Sequence, residues 1–563
     1  MQAEYRDESA GCGSTLCPAV RNNVSHTETQ LRSLKPVRVN TVSAQPNILL
    51  VMADQLAPSF LPIHGHPVVQ APAIDRLADN GVVFNSAYSN SPLCAPARFA
   101  MMSGQRNSRI GAYDNASELR ASVPTFAHHL RSLGYRTTLC GKMHFIGPDQ
   151  LHGFERRLTT DIYPADFGWT PNWEDPQGRF DWWFHNMDSV INAGVAEATN
   201  QLDFDDEVGF QAVRELRDVA RTSQGQPWLL TVSFTHPHDP YAMRQRYWDR
   251  YRHEDIDLPR IGAADVEADP HSTRLRQVSA MDTGEITDEV VRNARHAYYA
   301  AISYVDDWLA LLRETLDATG MADNTVVIFT ADHGDFLGER GLWYKMSFLE
   351  PATRIPLIIS APGARRGVTM PDPVSLLDVL PTLVDLGGGD SAGDLGHVVD
   401  GVSLVPQLQG DRDPGRTVLG EYLGEGAVAP IFMIRRQQYK YIWSAPDGPQ
   451  LFDLHADRYE LRNLAADPDL ATTAMEFRAE IDRHWDPERV RAEVVESQRA
   501  RRVVDQALRT GRYEPWEHVP QPDSANQYMR NHLNLNLVEA ERRYPSLRSE
   551  PAQVSHDQSL GPS

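Results

Sequence analysis

Cys94 stands in Cys94-Ala95-Pro96-Ala97-Arg98 and is one of 4 cysteines in a chain of 563 residues. A lone cysteine is more often a small buried hydrophobe than a catalyst; its company changes the weighting. Asp54-Gln55 lies upstream and Asp332-His333 downstream, each shortly after a strand-like apolar run, with Gly141-Lys142-Met143-His144 and His236-Pro237-His238-Asp239-Pro240 between them. Asp54, Gln55, Asp332 and His333 offer mostly oxygen ligands, which suit a hard divalent cation such as Ca²⁺ or Mg²⁺ better than zinc, while the histidine leaves room for Mn²⁺. The small residues around Cys94 predict a thiol that a modifying enzyme can reach.

These groups need elements to hold them. The run 48–52 is continuously apolar and ends in polar groups, as a buried parallel strand does. A helix over 73–80 ending at Gly81, a strand over 82–84, a helix over 125–133 closed by Gly134 and a strand over 135–140 follow, and 228–235 and 325–330 repeat the strand pattern. Strands alternating with helices predict an α/β domain with a mainly parallel sheet. Asp54, Lys142, His236 and Asp332 each fall just past a strand end, the edge where open α/β sheets place their sites. Near Asp390 the composition shifts to Gly, Ser and Asp, as in a connector. Beyond it 417–423, 430–436, 439–444 and 450–453 read as short antiparallel strands, the last two joined by a turn at Asp447-Gly448, with helices over 472–485 and 487–511 and an extended tail after Tyr513.

Composition bounds the partners. The chain carries 54 Lys+Arg against 76 Asp+Glu, a formal charge of −22, which argues against nucleic acid. No apolar run is long enough to span a bilayer. Residues 1–45 are polar, lack a continuous apolar core of the signal-peptide kind and read as a disordered leader. Four cysteines in so long a chain are not a disulfide framework. Together these predict a cytoplasmic protein without a membrane partner.

The constellation resembles the type I sulfatases, in which the cysteine of a C-x-[PA]-x-R motif is oxidised to Cα-formylglycine. The likeness runs from about Pro46 to about Pro545. Within that family the chain is most similar to the choline sulfatases, on residues 91–96, 141–145, 147–154, 161–169, 181–183 and 527–532. The resemblance implies an alkaline phosphatase/sulfatase-like sheet sandwiched by helices over 46–390. It adds a smaller C-terminal α+β subdomain with an antiparallel sheet over 391–512, and a tail over 513–563 that reaches a neighbouring subunit of a homodimer or homotetramer.

It also implies roles. Calcium is the favoured metal, held by Asp54, Gln55, residue 94, Asp332 and His333, with Asp54-Gln55 standing where many sulfatases have an aspartate pair. Cys94, converted by a formylglycine-generating enzyme and hydrated to a gem-diol, would attack sulfur with one hydroxyl and expel sulfate with the other. Arg98 would hold the ligand carboxylates. Lys142, His236 and Lys345 would surround the sulfuryl group, His144 would hydrogen-bond a formylglycine hydroxyl, and His236 or Lys345 would protonate the departing alkoxide. Trp169 and His185, in an aromatic stretch that also holds Tyr163, Phe167, Trp173, Trp182, Trp183 and Phe184, match choline-pocket positions. Asp523, between Trp516 and Tyr528, would bring a carboxylate from the tail.

The activity implied is hydrolysis of choline-O-sulfate to choline and sulfate. A phosphonate monoester or phosphodiester hydrolase, or an arylsulfatase, would use the same metal and nucleophile. A catalytically silent choline or sulfate-ester binding protein would have the fold without the modification, and the intact motifs argue against it.

Overall fold

The apolar runs become the middle of one sheet. The structure, a computed structural model, describes residues 45–176, 186–223, 225–267, 269–283, 286–513, 516, 533–534 and 536–538. Strands β1 (Asn47–Ala53), β2 (Val82–Phe84), β3 (Arg136–Gly141), β4 (Arg156–Arg157), β5 (Trp228–Phe234), β6 (Thr325–Thr330), β7 (Leu357–Ser360) and β8 (Val368–Met370) lie in the order β8-β2-β7-β6-β1-β5-β3-β4. All pairings are parallel except those of β7, which runs antiparallel to β6 and β2. In β1, Ile48 pairs with Leu229 on one side and Val326 on the other, and residues 48–53 are fully buried. A strand covered on both faces must be apolar throughout, which is why these runs were legible without alternation.

Helices α1 (Pro72–Asp79), α2 (Cys94–Ser103), α3 (Phe126–Ser132), α4 (Asn200–Thr222) and α5 (Asp288–Ala318) accompany the sheet. Contacts join α1 to β7 and β2, α3 to β3, and α4 to β5 and β3. The starts of α4 and α5 follow the capping rule: Thr199 accepts the Leu202 N–H at 3.1 Å, and Thr287 accepts that of Val290 at 3.3 Å. No helix among the described residues is long and apolar enough to cross a membrane.

The second sheet is antiparallel, β9 (Thr417–Tyr422), β10 (Ile431–Arg436), β11 (Tyr439–Ser444) and β12 (Gly448–Asp453) in sequence order. The turn expected at Asp447-Gly448 is instead a three-residue loop, 445–447, closed by Gly448 at φ 77°, the positive value such a loop requires. Helices α6 (Ala471–His484) and α7 (Pro487–Leu508) follow. Trp485 between them stacks on Phe432 at 4.6 Å, and its indole N–H donates to Glu421 at 2.7 Å. Lys440 of β11 is fully buried and donates to the Phe348 carbonyl at 2.7 Å and to Glu350 at 2.9 Å, so this sheet braces the segment that follows Lys345.

One buried imidazole away from the site makes stability depend on pH. His152 is 2% exposed, with its ring 4.4 Å from Phe145. Burial, only partly offset by Asp149, lowers its pKa from 6.5 to about 4. The unfolded chain therefore takes up the proton first, and stability present above pH 6.5 is lost as pH falls towards 4. His152→Gln is expected to flatten this acid limb by roughly 3 kcal/mol. Urea unfolding between pH 7 and 4 measures it, and an unchanged slope would remove His152 from the account.

Candidate active site

Cys94 is the first residue of α2, behind an extended Leu93, and Asn115 accepts the Ala95 N–H at 3.0 Å. Pro96 costs nothing there, because an N–H in the first turn has no partner inside the helix. The thiol is 1% exposed, which corrects the expectation of an accessible cysteine. Ala95 and Ala97, read as leaving room, instead let neighbouring chain close over it. Burial first, and then Asp54, push the thiol pKa up to about 11. An unmodified Cys94 is therefore almost entirely protonated at neutral pH.

Asp54, Cys94, Asp332 and His333 each present a ligand atom within 4.8 Å of the others, all buried. They arrive from the ends of adjacent strands, Asp54 from β1 and Asp332-His333 from β6, with the cysteine from α2. Gly334 lets this turn close, since a Cβ there would lie 2.1 Å from the Pro351 carbonyl. His333 Nε2 is 3.2 Å from Cys94 Sγ, and its Nδ1 faces the Gly334 carbonyl at 3.0 Å. Two carboxylates, an imidazole and the side chain at 94 form a donor set that fits a divalent cation.

Arg98, fully buried, ties the set together. It donates to Asp332 at 2.8 Å, Asp54 at 3.1 Å, the Lys142 carbonyl at 2.7 Å and Ser233 Oγ at 2.8 Å. Burial alone would raise the Asp54 pKa; Lys142, His238, Arg98 and His333 outweigh it and hold the carboxyl well below its usual range. Lys142 is ion-paired with Asp54, its ammonium 4.1 Å from the centre of the Tyr163 ring. It leaves β3 through Gly141, at φ 101°, where a Cβ would lie 2.1 Å from the Ser233 carbonyl.

Lys345 donates to Gln55 Oε1 at 2.6 Å and to His238 Nε2 at 2.7 Å. Gln55 Nε2 donates in turn to Asp335 at 2.7 Å and Asp239 at 3.3 Å, so this amide, expected among the metal ligands, is engaged by Lys345 and the two aspartates. His236 is held by one ring nitrogen, while its buried Nε2 has no hydrogen-bond partner among the described residues. Its Nδ1 lies 2.7 Å from Asp205, which also takes the Thr235 and His236 backbone N–H groups, and its ring packs on Tyr304. Asp205 binds the start of the turn to α4, and His238, two residues on, is delivered to Lys345. Burial and then Lys345 hold the His238 pKa well below its ordinary value, so its neutral Nε2 accepts a hydrogen bond from Lys345, which keeps the proton.

His144 is buried, and neither ring nitrogen has a hydrogen-bond partner among the described residues. Burial and then Lys142 lower its pKa to about 3. Asp161 holds it in place by accepting the Met143 and His144 backbone N–H groups at 3.0 and 2.9 Å. Its ring meets Trp169 edge-on at 5.8 Å and Tyr163 at 5.2 Å. Trp173 and Phe167 are packing residues: the Trp173 indole donates to the Gly424 carbonyl at 3.0 Å, and Phe167 lies against Trp516 at 5.5 Å. His185, Trp182, Trp183, Phe184, Asp523 and Tyr528 lie outside the described residues.

Glu425 was missed by the sequence reading. It is fully buried, no side chain among the described residues hydrogen-bonds either carboxylate oxygen, and Asp114, Cys94 and the backbone N–H groups of Asn115 and Glu425 are near enough to act on its charge. Burial and then Asp114 push its pKa well above the carboxylate range. Its position between Gly424 and Gly426, just past a strand, was the only signal available.

Cations gathered round a buried side chain at a sheet's carboxyl edge suit hydrolysis of an anionic ester. Comparison with known proteins says which kind: the chain belongs to the sulfatase family, whose model matches residues 46–389, and it is a sulfuric ester hydrolase. That family generally uses a divalent metal and a formylglycine. A model described as choline sulfatase enzyme C terminal matches residues 492–544, and one described as N-sulphoglucosamine sulphohydrolase, C-terminal, matches 338–486. A choline-sulfatase of Rhizobium meliloti (strain 1021) is 49% identical over 89% of this chain and 99% of its own length. Arylsulfatase K of Danio rerio is 31% identical over 75% of this chain and 80% of its own. Among solved structures, the phosphonate monoester hydrolase of Silicibacter pomeroyi shares the fold, with a TM-score of 0.62 at 24% identity, covering 78% of this chain and 95% of that one.

Proposed function

We propose that the chain hydrolyses choline-O-sulfate to choline and sulfate, in the cytoplasm, with calcium bound at Asp54, Asp332, His333, Gln55 and residue 94, and with Cys94 converted to formylglycine. The observation that carries the choline assignment is Glu425, a buried carboxyl group near the nucleophile without a cationic partner among the described residues. A quaternary ammonium has no N–H to donate, so it is recognised by negative charge and aromatic faces. Glu425 supplies the first once a cation lies beside it, because that positive charge offsets the burial that favours its neutral form, and Trp169 supplies the second. Resemblance to the Rhizobium meliloti choline-sulfatase supports the same reading.

Bound metal and converted residue would together supply an acidified hydroxyl nucleophile with a second hydroxyl able to release sulfate. The chain's own residues do the rest. Arg98 fixes Asp54 and Asp332 against their mutual repulsion. Lys142, Lys345, His236 and His144 surround the sulfuryl oxygens as charge develops on them. Lys345 Nζ gives its proton to the departing alkoxide, and His238 Nε2, oriented by Asp239, holds that proton donor in line. An alkyl alcohol leaves poorly, so this acid matters more than for an aryl ester.

Cys94 is buried once the protein folds, so a formylglycine-generating enzyme would act before folding. In this reading residues 46–390 carry the chemistry and 391–512 brace it. The tail 513–563, with Asp523, completes the pocket of a neighbouring copy in a homodimer or homotetramer, and His185 joins Trp169 in the pocket.

Glu425→Gln and Trp169→Ala are each expected to raise KM for choline-O-sulfate about 30-fold, the worth of a desolvated cation contact. Hydrolysis of an aryl sulfate should change little. Steady-state kinetics on both esters is the test, and equal effects on the two would return both residues to packing.

A further inference from the structure

We propose that Arg501, on α7, is a positioning residue that sets the pocket's preference for a cationic alcohol; this rests on the reading of the pocket given above. Its guanidinium is 7% exposed and forms a two-pronged pair with Asp114, at 2.6 and 2.7 Å. It also donates to Thr170 Oγ1 at 3.3 Å and to Ser497 Oγ at 3.2 Å.

Each partner leads to a different wall of the site. Asp114 opens the turn that carries Asn115: one of its oxygens accepts the Ala116 N–H at 3.0 Å and the Ser117 hydroxyl at 3.1 Å. Asn115 caps α2 at Ala95, next to Cys94. Thr170 follows Trp169, whose ring meets His144. One side chain therefore fastens the nucleophile's helix and the aromatic wall to the same helix, and a planar fork does this with a fixed geometry that an ammonium lacks.

Charge gives the pair a second effect. Asp114 is fully buried and close enough to Glu425 to repel it. Arg501 offsets the Asp114 charge, so Glu425 has less to oppose its ionisation when a cation arrives. Without Arg501, Asp114 must take up a proton to stay buried, the Asn115 turn and the Trp169 wall lose their common anchor, and the aromatic face needed by a quaternary ammonium is no longer held in place. Arg501 lies outside the residues matched by the sulfatase model and inside the segment 492–544. The chemistry and its selectivity thus come from different stretches of the chain.

Arg501 also lines a cavity of about 730 Å³, with Arg106, Tyr113, Arg120 and Trp485 among its other walls, so a small guanidine can reach its place from the far side. The experiment uses formylglycine-containing, metal-replete enzyme with choline-O-sulfate and an aryl sulfate. In Arg501→Ala, kcat/KM for choline-O-sulfate should fall about 100-fold, mainly through KM, with an aryl-sulfate loss smaller by at least about tenfold. Millimolar methylguanidine should restore part of the choline-ester activity and leave the wild type unchanged. Arg501→Lys, which keeps the charge and loses the fork, should lie between, and it carries the comparison if the alanine variant does not fold. Equal losses on both esters, no response to methylguanidine, or wild-type selectivity in Arg501→Lys would overturn the proposal. Wild-type enzyme that does not favour choline-O-sulfate would instead overturn the reading of the pocket, which separates the two failures.

Discussion

Cys94→Ser is expected to lower kcat by about 10⁴-fold or more, the scale seen when a nucleophile is removed. The reasoning starts from the site as folded. The thiol is buried and its pKa is raised to about 11, which disfavours the thiolate and fits the proposal that a converted side chain does the work. Serine brings one hydroxyl to the same place and none with which to expel sulfate. The variant should release at most one equivalent of alcohol and then stop. The check has two parts, steady-state turnover and the mass of the peptide that spans residue 94. Sustained turnover by the serine variant, or full activity in protein whose Cys94 is unmodified, would contradict the formylglycine assignment.

Arg98→Met should cost about 3–5 kcal/mol of stability, the penalty for leaving buried charges unpaired. Arg98 gives four hydrogen bonds, two of them to Asp54 and Asp332, and has no exposure to water. Methionine fills much of the volume and supplies none of the charge, so Lys142 is left to offset both carboxylates. A divalent cation at the proposed site would be held by the same two carboxylates, so excess calcium should return part of the loss. Urea unfolding of unconverted protein, with chelator and with calcium, isolates this effect from any effect on maturation. Stability within about 1 kcal/mol of the wild type in chelator would show that the arginine does not carry the site.

The sheet was legible because strands buried on both faces leave continuous apolar runs. Asp54, Lys142 and Asp332 were legible because a polar residue directly after such a run has one place to go. The histidines were not. His236 and His238 alternate along one short segment, and Asp205, 31 residues from His236 and on a different element, decides which of them reaches Lys345. Glu425 was hidden for a related reason. It belongs to no motif and enters the site because 422–426 packs on the start of α2, where a Cβ on Gly424 would lie 2.7 Å from Leu93. Gln55 shows what residue type leaves out, since its amide is also held by Lys345 and Asp335, which lie far away in sequence. The alanines beside Cys94 show it for exposure: small residues permit close packing as readily as access.

The most direct test of the account is steady-state hydrolysis, by purified formylglycine-containing enzyme, of choline-O-sulfate, an aryl sulfate and a phosphonate monoester side by side. The account predicts that choline-O-sulfate has the highest kcat/KM by orders of magnitude. A higher value for the aryl or phosphonate ester would contradict it, leaving the sulfatase fold and the residue-94 nucleophile in place and removing the choline pocket built on Glu425 and Trp169.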